Sequence, residues 1–124
     1  MTCPKKILIT LAGSLAISGS MMFVSTASAE GKKMSALDEG KQIAFSRKKG
    51  NCLACHSISG GKSPGNIAPP LVAMKQRYPD KARLHQQIWD ATIANPVSTM
   101  PPFGKHKILS DAELDKVVEF IYSL

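Results

Sequence analysis

The run Cys52-Leu53-Ala54-Cys55-His56 restricts what this chain can become more than any other feature. Two thiols three positions apart can each add to one of the two vinyl groups on a porphyrin edge. The residue that follows then brings its imidazole under the ring to bind iron, so the spacing reads as c-type haem attachment. Two other chemistries share a C-x-x-C core, a redox disulfide and half of a zinc site. Zinc requires a second cysteine pair or a histidine pair at finger spacing, and the sequence has neither. A thioredoxin-like pair expects a strand before it and a helix after it. Here Lys48-Lys49-Gly50-Asn51 precedes the pair and Ser59-Gly60-Gly61 follows it.

The amino terminus bears on the same question, because c-type haem is attached outside the cytoplasm. Lys5 and Lys6 give a positive start, Ile7 to Val24 is mostly apolar, and Ala27-Ser28-Ala29 is a small-residue cleavage pattern. Residues 1–29 therefore read as a signal peptide cleaved after Ala29, with export to the periplasm. A retained membrane anchor is the rival reading, since the apolar run approaches the roughly 18 to 20 residues that span a bilayer. The interspersed glycines and serines and the cleavage pattern favour removal, leaving a mature chain with no membrane association. Cys3 leaves with the signal.

Residues 30–124 form one small domain of 95 residues, with 14 Lys and Arg against 9 Asp and Glu. A domain this size buries only about 60 to 65% of its unfolded surface, so exported domains of this length usually add disulfides, a metal or a cofactor. Only Cys52 and Cys55 remain after cleavage, which excludes a disulfide-rich scaffold and leaves one local pair to explain.

A haem iron held by His56 needs a sixth ligand, and the candidates are Met34, Met74, Met100, His85 and His106. Met100 is the expected one. It lies in Asn95-Pro96-Val97-Ser98-Thr99-Met100-Pro101-Pro102-Phe103-Gly104, where prolines on both sides deny the stretch a helix and limit its backbone freedom. The competing reading makes Met100 a flexible core filler. Met34 is near the mature start, Met74 looks like ordinary packing close after Pro70, and His85 is expected to face solvent beside Gln86 and Gln87. His106, in the same loop as Met100, is the second choice.

The expected fold is all-α. A first helix is expected over 35–48, opened by an S-x-x-D arrangement of Ser35 and Asp38. The segment 57–66 holds four glycines and prolines and reads as loop. Over 81–94, Leu84, Ile88 and Ala91 share a helical face, with Asn95-Pro96 as the stop. The terminal helix carries a Ser110/Glu113 capping box and an apolar stripe of Leu114, Val117, Val118, Ile121 and Tyr122. No strand pattern, repeat or low-complexity tract competes.

Cys52 to His56, Ala68-Pro69-Pro70-Leu71, the Met100 loop and an apolar last helix together resemble the class I cytochrome c family over nearly all of the mature chain. The resemblance implies a fold of helices and loops wrapped around one covalently bound haem c. It also implies that the first and last helices cross, with Gly40 near Ile121 or Tyr122, and that the Pro69 carbonyl holds the Nδ1 of His56. Such a bond orients the imidazole and raises its basicity. Ala68 stands where the family commonly has glycine, and Gly40 lies further from Cys52 than is common.

More narrowly, Gly50 to His56, Ile88-Trp89-Asp90-Ala91-Thr92 and Asn95 through Ser110 are similar to SoxX, a family of small monohaem subunits of SoxAX cytochromes. That resemblance implies a SoxA-like cytochrome partner that joins thiosulfate oxidatively to a carrier-protein cysteine. It further implies a downstream electron-accepting cytochrome. The chain would then be a non-catalytic electron-transfer subunit of an L-cysteine S-thiosulfotransferase. A free-standing periplasmic electron carrier is the alternative, and a haem enzyme with open iron is the third reading.

If His56 and Met100 fill both axial positions, no site is left on iron for substrate, and methionine ligation raises the reduction potential. Lys32, Lys33, Lys41, Arg47, Lys48, Lys49 and Lys62 are candidates for steering an acidic partner, or are simply a solvated face. Nucleic acid is not an expected partner. Trp89 reads equally as core or as interface, and Arg77 and Arg83 are candidates for haem propionates.

Overall fold

The terminal helix is the element around which the described part of the chain is arranged. A computed structural model describes residues 34–124, so the signal segment 1–29 expected from the sequence lies outside the described residues. Four α-helices occur among them, in the order α1 (Ala36–Phe45), α2 (Met74–Arg77), α3 (Lys81–Trp89) and α4 (Asp111–Tyr122). No strand is present among the described residues.

Helix α4 starts at a complete capping box. Ser110 Oγ accepts from the Glu113 amide at 3.3 Å, and the Glu113 carboxylate accepts from the Ser110 amide at 2.9 Å. Its stripe of Leu114, Val117, Val118 and Ile121, joined by Phe120, is buried. Helix α1 is opened by Ser35, whose side chain accepts from the Asp38 amide.

The α1/α4 crossing depends on Gly40. A Cβ at this position would lie 2.0 Å from the Lys116 carbonyl oxygen and 3.1 Å from Phe120 Cβ. The glycine thus faces Lys116 and Phe120 rather than the expected Ile121 or Tyr122. The reason is helical phase: Val117 and Ile121 face the interior cleft, which leaves the adjoining 116/120 ridge for the crossing. Phe45 meets Phe120 edge-on, with centroids 5.7 Å apart.

Two expected helices are shorter than the sequence suggested. Helix α1 stops at Phe45, and the chain folds back, with the Gly50 amide on the Ile43 carbonyl and the Asn51 amide on the Ser46 carbonyl. Arg47, Lys48 and Lys49 are exposed and add nothing to an apolar face that would prolong the helix. Helix α3 stops at Trp89 because Asp90 turns its side chain onto the Thr92 amide and caps a separate 3₁₀ turn, Ala91–Ile93. Residues 57–66 are loop, as expected.

Candidate functional site

Cys52 opens a 3₁₀ turn, Cys52–Ala54, immediately after the fold-back from α1. Both cysteines are free and half-buried. Burial pushes the Cys52 thiol up to about 11, against a smaller opposing effect from a backbone hydrogen bond. His56 follows, with its amide on the Cys52 carbonyl.

The segment after the loop returns along this turn. The Gly65, Ala68 and Leu71 amides donate to the carbonyls of Leu53, Cys55 and Ser57, at 2.7, 3.0 and 2.9 Å. This pairing sets Pro69 beside the imidazole, and His56 Nδ1 lies 2.7 Å from the Pro69 carbonyl oxygen. A carbonyl only accepts, so Nδ1 carries the proton and the Nε2 lone pair is free for a metal. One residue on, the Pro70 carbonyl accepts from Arg77 Nη1 at 2.8 Å.

Two adjoining clefts, of about 360 and 430 Å³, share a wall that contains Cys52, His56 and Met100. Cys55 lines the second of them. The first is walled deep down by Leu71, Met74, Leu84, Ile88, Val117 and Ile121, so the helical core and the cleft share the same side chains. Arg77, Tyr78, Gln87, Asn95 and Ser98 add polar groups to it. Volumes of this size, apolar walls and a few convergent polar groups describe a ligand site. The residues present fit a haem: an apolar-walled space, one imidazole with a free Nε2, one thioether, and two thiols in the lining. Prolines flank Met100 as the sequence indicated, and its amide donates to Ser98 Oγ at 3.2 Å.

Other residues singled out from the sequence are distributed as follows. Met34 is exposed and accepts from Gln42, and His106 is exposed. Met74 is buried and walls the first cleft, which goes beyond ordinary packing. His85 keeps its side chain 39% exposed, with Nε2 3.4 Å from the exposed Asp115 Oδ1. Arg77 lines the cleft, whereas Arg83 is exposed and does not. Trp89 lies against Gly104, outside both clefts.

Sequence reasoning missed Asp90. It is 2% exposed, and its carboxyl is held down at about 2 by Lys105 Nζ first and by Thr92 second. The signal was available in Asp90-Ala91-Thr92, where Asp two residues before Thr, just ahead of Asn95-Pro96, reads as a cap. Glu113 is likewise held down at about 2, by Lys49 and then Ser110. Among the described residues no helix is long and apolar enough to cross a membrane.

Residues 35–121 match the family described as "Cytochrome C oxidase, cbb3-type, subunit III". The chain is 28% identical to a chain of the crystal structure of SoxXA from P. pantotrophus, with a TM-score of 0.63, covering 69% of this chain and 79% of that one. It is also 33% identical over 76 residues to an uncharacterized lipoprotein of Aquifex aeolicus (strain VF5). That match takes in 60% of this chain and only 37% of the lipoprotein.

Proposed function

From the premise that this chain belongs to the cytochrome family described as cytochrome C oxidase, cbb3-type, subunit III, we propose that it is the electron-transfer subunit of a SoxAX-type sulfur-oxidising complex. Its likeness to SoxX and its all-α architecture are those of a class I cytochrome c. In this reading one haem c is tethered by thioether links at Cys52 and Cys55, with His56 and Met100 as axial ligands. The 1–29 segment is an export signal removed after Ala29, and the mature domain, 30–124, works in the periplasm.

The observation that carries the reading is the His56 Nδ1 to Pro69 carbonyl contact, in a cleft whose wall also holds Met100 and Cys52. Each thiol would add its S–H across a vinyl group, a step that needs no oxidant. Once bound, the haem supplies a one-electron iron couple. His56 is pre-set by Pro69 to present Nε2 and to be a strong donor. Met100 would be the second residue to hold the iron and, as a neutral thioether, would favour the reduced metal. The walls of Leu71, Met74, Val117 and Ile121 exclude water. With His56 and Met100 both holding the iron, the chain would leave it no position for substrate, and its role would be to pass electrons while substrate is transformed elsewhere. The partner is a SoxA-like subunit that conjugates thiosulfate to a carrier-protein cysteine, and a downstream cytochrome accepts the electrons.

Charge supports a docking role for the cleft face. Arg77 lines the first cleft and Arg47 and Lys49 the second, and neither lining contains an Asp or Glu. A free-standing carrier would use the same face.

The test is expression in a cytochrome-maturing host, followed by mass and absorption measurements. A mature chain starting at Glu30, one haem heavier and with His/Met low-spin spectra, is expected. Met100→Ala is expected to lose those spectra, and unchanged spectra would exclude Met100 as ligand. Co-purification with a SoxA-like chain separates the subunit from the free carrier.

A further inference from the structure

Within the loop 95–104 only Phe103 and Gly104 are buried, and they lie at its outgoing end. Val97 is 84% exposed, Pro101 is exposed, and Met100 is half-buried. Its ends, by contrast, are fastened to one place. On the incoming stem the Asn95 amide donates to the Ala91 carbonyl, and that turn is capped by Asp90 Oδ1, which accepts from the Thr92 amide at 3.0 Å and from Thr92 Oγ1. On the outgoing stem the Gly104 and Lys105 amides both donate to the Trp89 carbonyl, and Lys105 Nζ lies 2.8 Å from Asp90 Oδ2. The Trp89 ring rests on Gly104, where a Cβ would lie 1.8 Å from Cδ1.

We propose that Asp90 is the positioning residue for Met100, its single carboxylate tying the two stems of the loop together so that the thioether is held at the cleft. The inference rests on the reading of Met100 as an axial ligand. A buried carboxylate with two charged or polar donors persists only when its partners are in place, since losing one strands the other. Prolines 96, 101 and 102 then convert fixed stems into a fixed crown, because each removes a backbone freedom. A neutral thioether adds no charge attraction of its own to the metal, so loop closure sets the fraction of time it is bound.

Imidazole, offered to the oxidised haem-loaded full chain, reads that fraction, because it binds iron only when the loop releases Met100. Its apparent affinity scales with the open population. Asp90→Ala is expected to tighten imidazole binding about tenfold or more, and Lys105→Met, which cuts only the outgoing tie, severalfold. Glu119→Gln breaks the Lys81–Glu119 pair away from the loop and is expected to leave affinity within about twofold. If Asp90→Ala does not fold, Lys105→Met carries the test, because Lys105 is exposed. Unchanged affinity in Lys105→Met and in any folded Asp90→Ala, or equal tightening in Glu119→Gln, would overturn the inference. A parent that binds imidazole as tightly as Met100→Ala would overturn the ligand reading itself, and this inference with it.

Discussion

The acceptor that orients His56 belongs to the backbone, so no side-chain substitution at position 69 removes it directly. The histidine is therefore held by how residues 65–71 lie against residues 53–57. Cys52 and Asp90 show the opposite case, in which the environment acts on the side chain itself. Burial leaves the Cys52 thiol protonated at neutral pH, and alkylation of the haem-free chain at pH 8, followed by mass spectrometry, should label Cys52 more slowly than an exposed thiol. The Asp90 carboxyl is lowered to about 2, below its ordinary value near 4. Its contribution to stability is thus fully present above pH ~4 and is lost as pH falls through about 2. Urea unfolding of the parent and of Asp90→Asn should differ most at pH 5 and converge toward pH 2. The C-x-x-C-H residues were legible because their chemistry is local. The capping role of Asp90 was legible in Asp90-Ala91-Thr92, whereas its tie to Lys105, fifteen positions away, was not.

At the scale of elements, α4 is the one whose start and apolar face could both be read in advance. Its capping box and its apolar stripe make the same statement, and tertiary contacts do not contradict them. Ser110→Ala should cost about 1 kcal/mol, seen as a lower urea midpoint with unchanged slope. Helix α1 was harder to read, since Arg47, Lys48 and Lys49 are acceptable helix residues. The chain leaves the helix because Gly50 has to reach the Ile43 carbonyl to set Cys52 in place. The crossing was foreseen, but its register was off by one ridge, since helical phase within a stripe is decided by what the other face encloses. Gly40→Ala forces a methyl onto the Lys116 carbonyl, and overpacking of this kind costs about 1 to 3 kcal/mol. The drop should appear in thermal unfolding, with ligand spectra retained below the transition.

Across the whole described domain, charge is sorted. Each carboxylate of α4 has a basic partner: Asp111 with Lys107, Glu113 with Lys49, Asp115 with His85, and Glu119 with Lys81. Lys116 returns the favour to Glu39 across the helix crossing. Exposed pairs of this type add little stability. The lysine pairs cancel negative charge on the α4 side, and of the seven basic residues in the acid-free stretch 41–79 only Lys49 is drawn into an ion pair among the described residues. Association with an acidic partner should therefore be fast at low salt and slow steeply as ionic strength rises from about 0.01 to 0.15 M, measured by stopped flow. Arg47→Glu and Lys48→Glu should lower the association rate and flatten that dependence.

The side chains that wall the first cleft also make up the interior of the helical packing, and this sharing has an outcome beyond electron flow. Without the proposed haem, Val117, Ile121, Met74 and Leu84 border a hollow, and a void of that kind weakens the surrounding structure. Such a chain opens more often, and proteases digest what opens. On the proposed reading, the same geometry would lower the survival of colourless copies and enrich the accumulated population in haem-loaded chain.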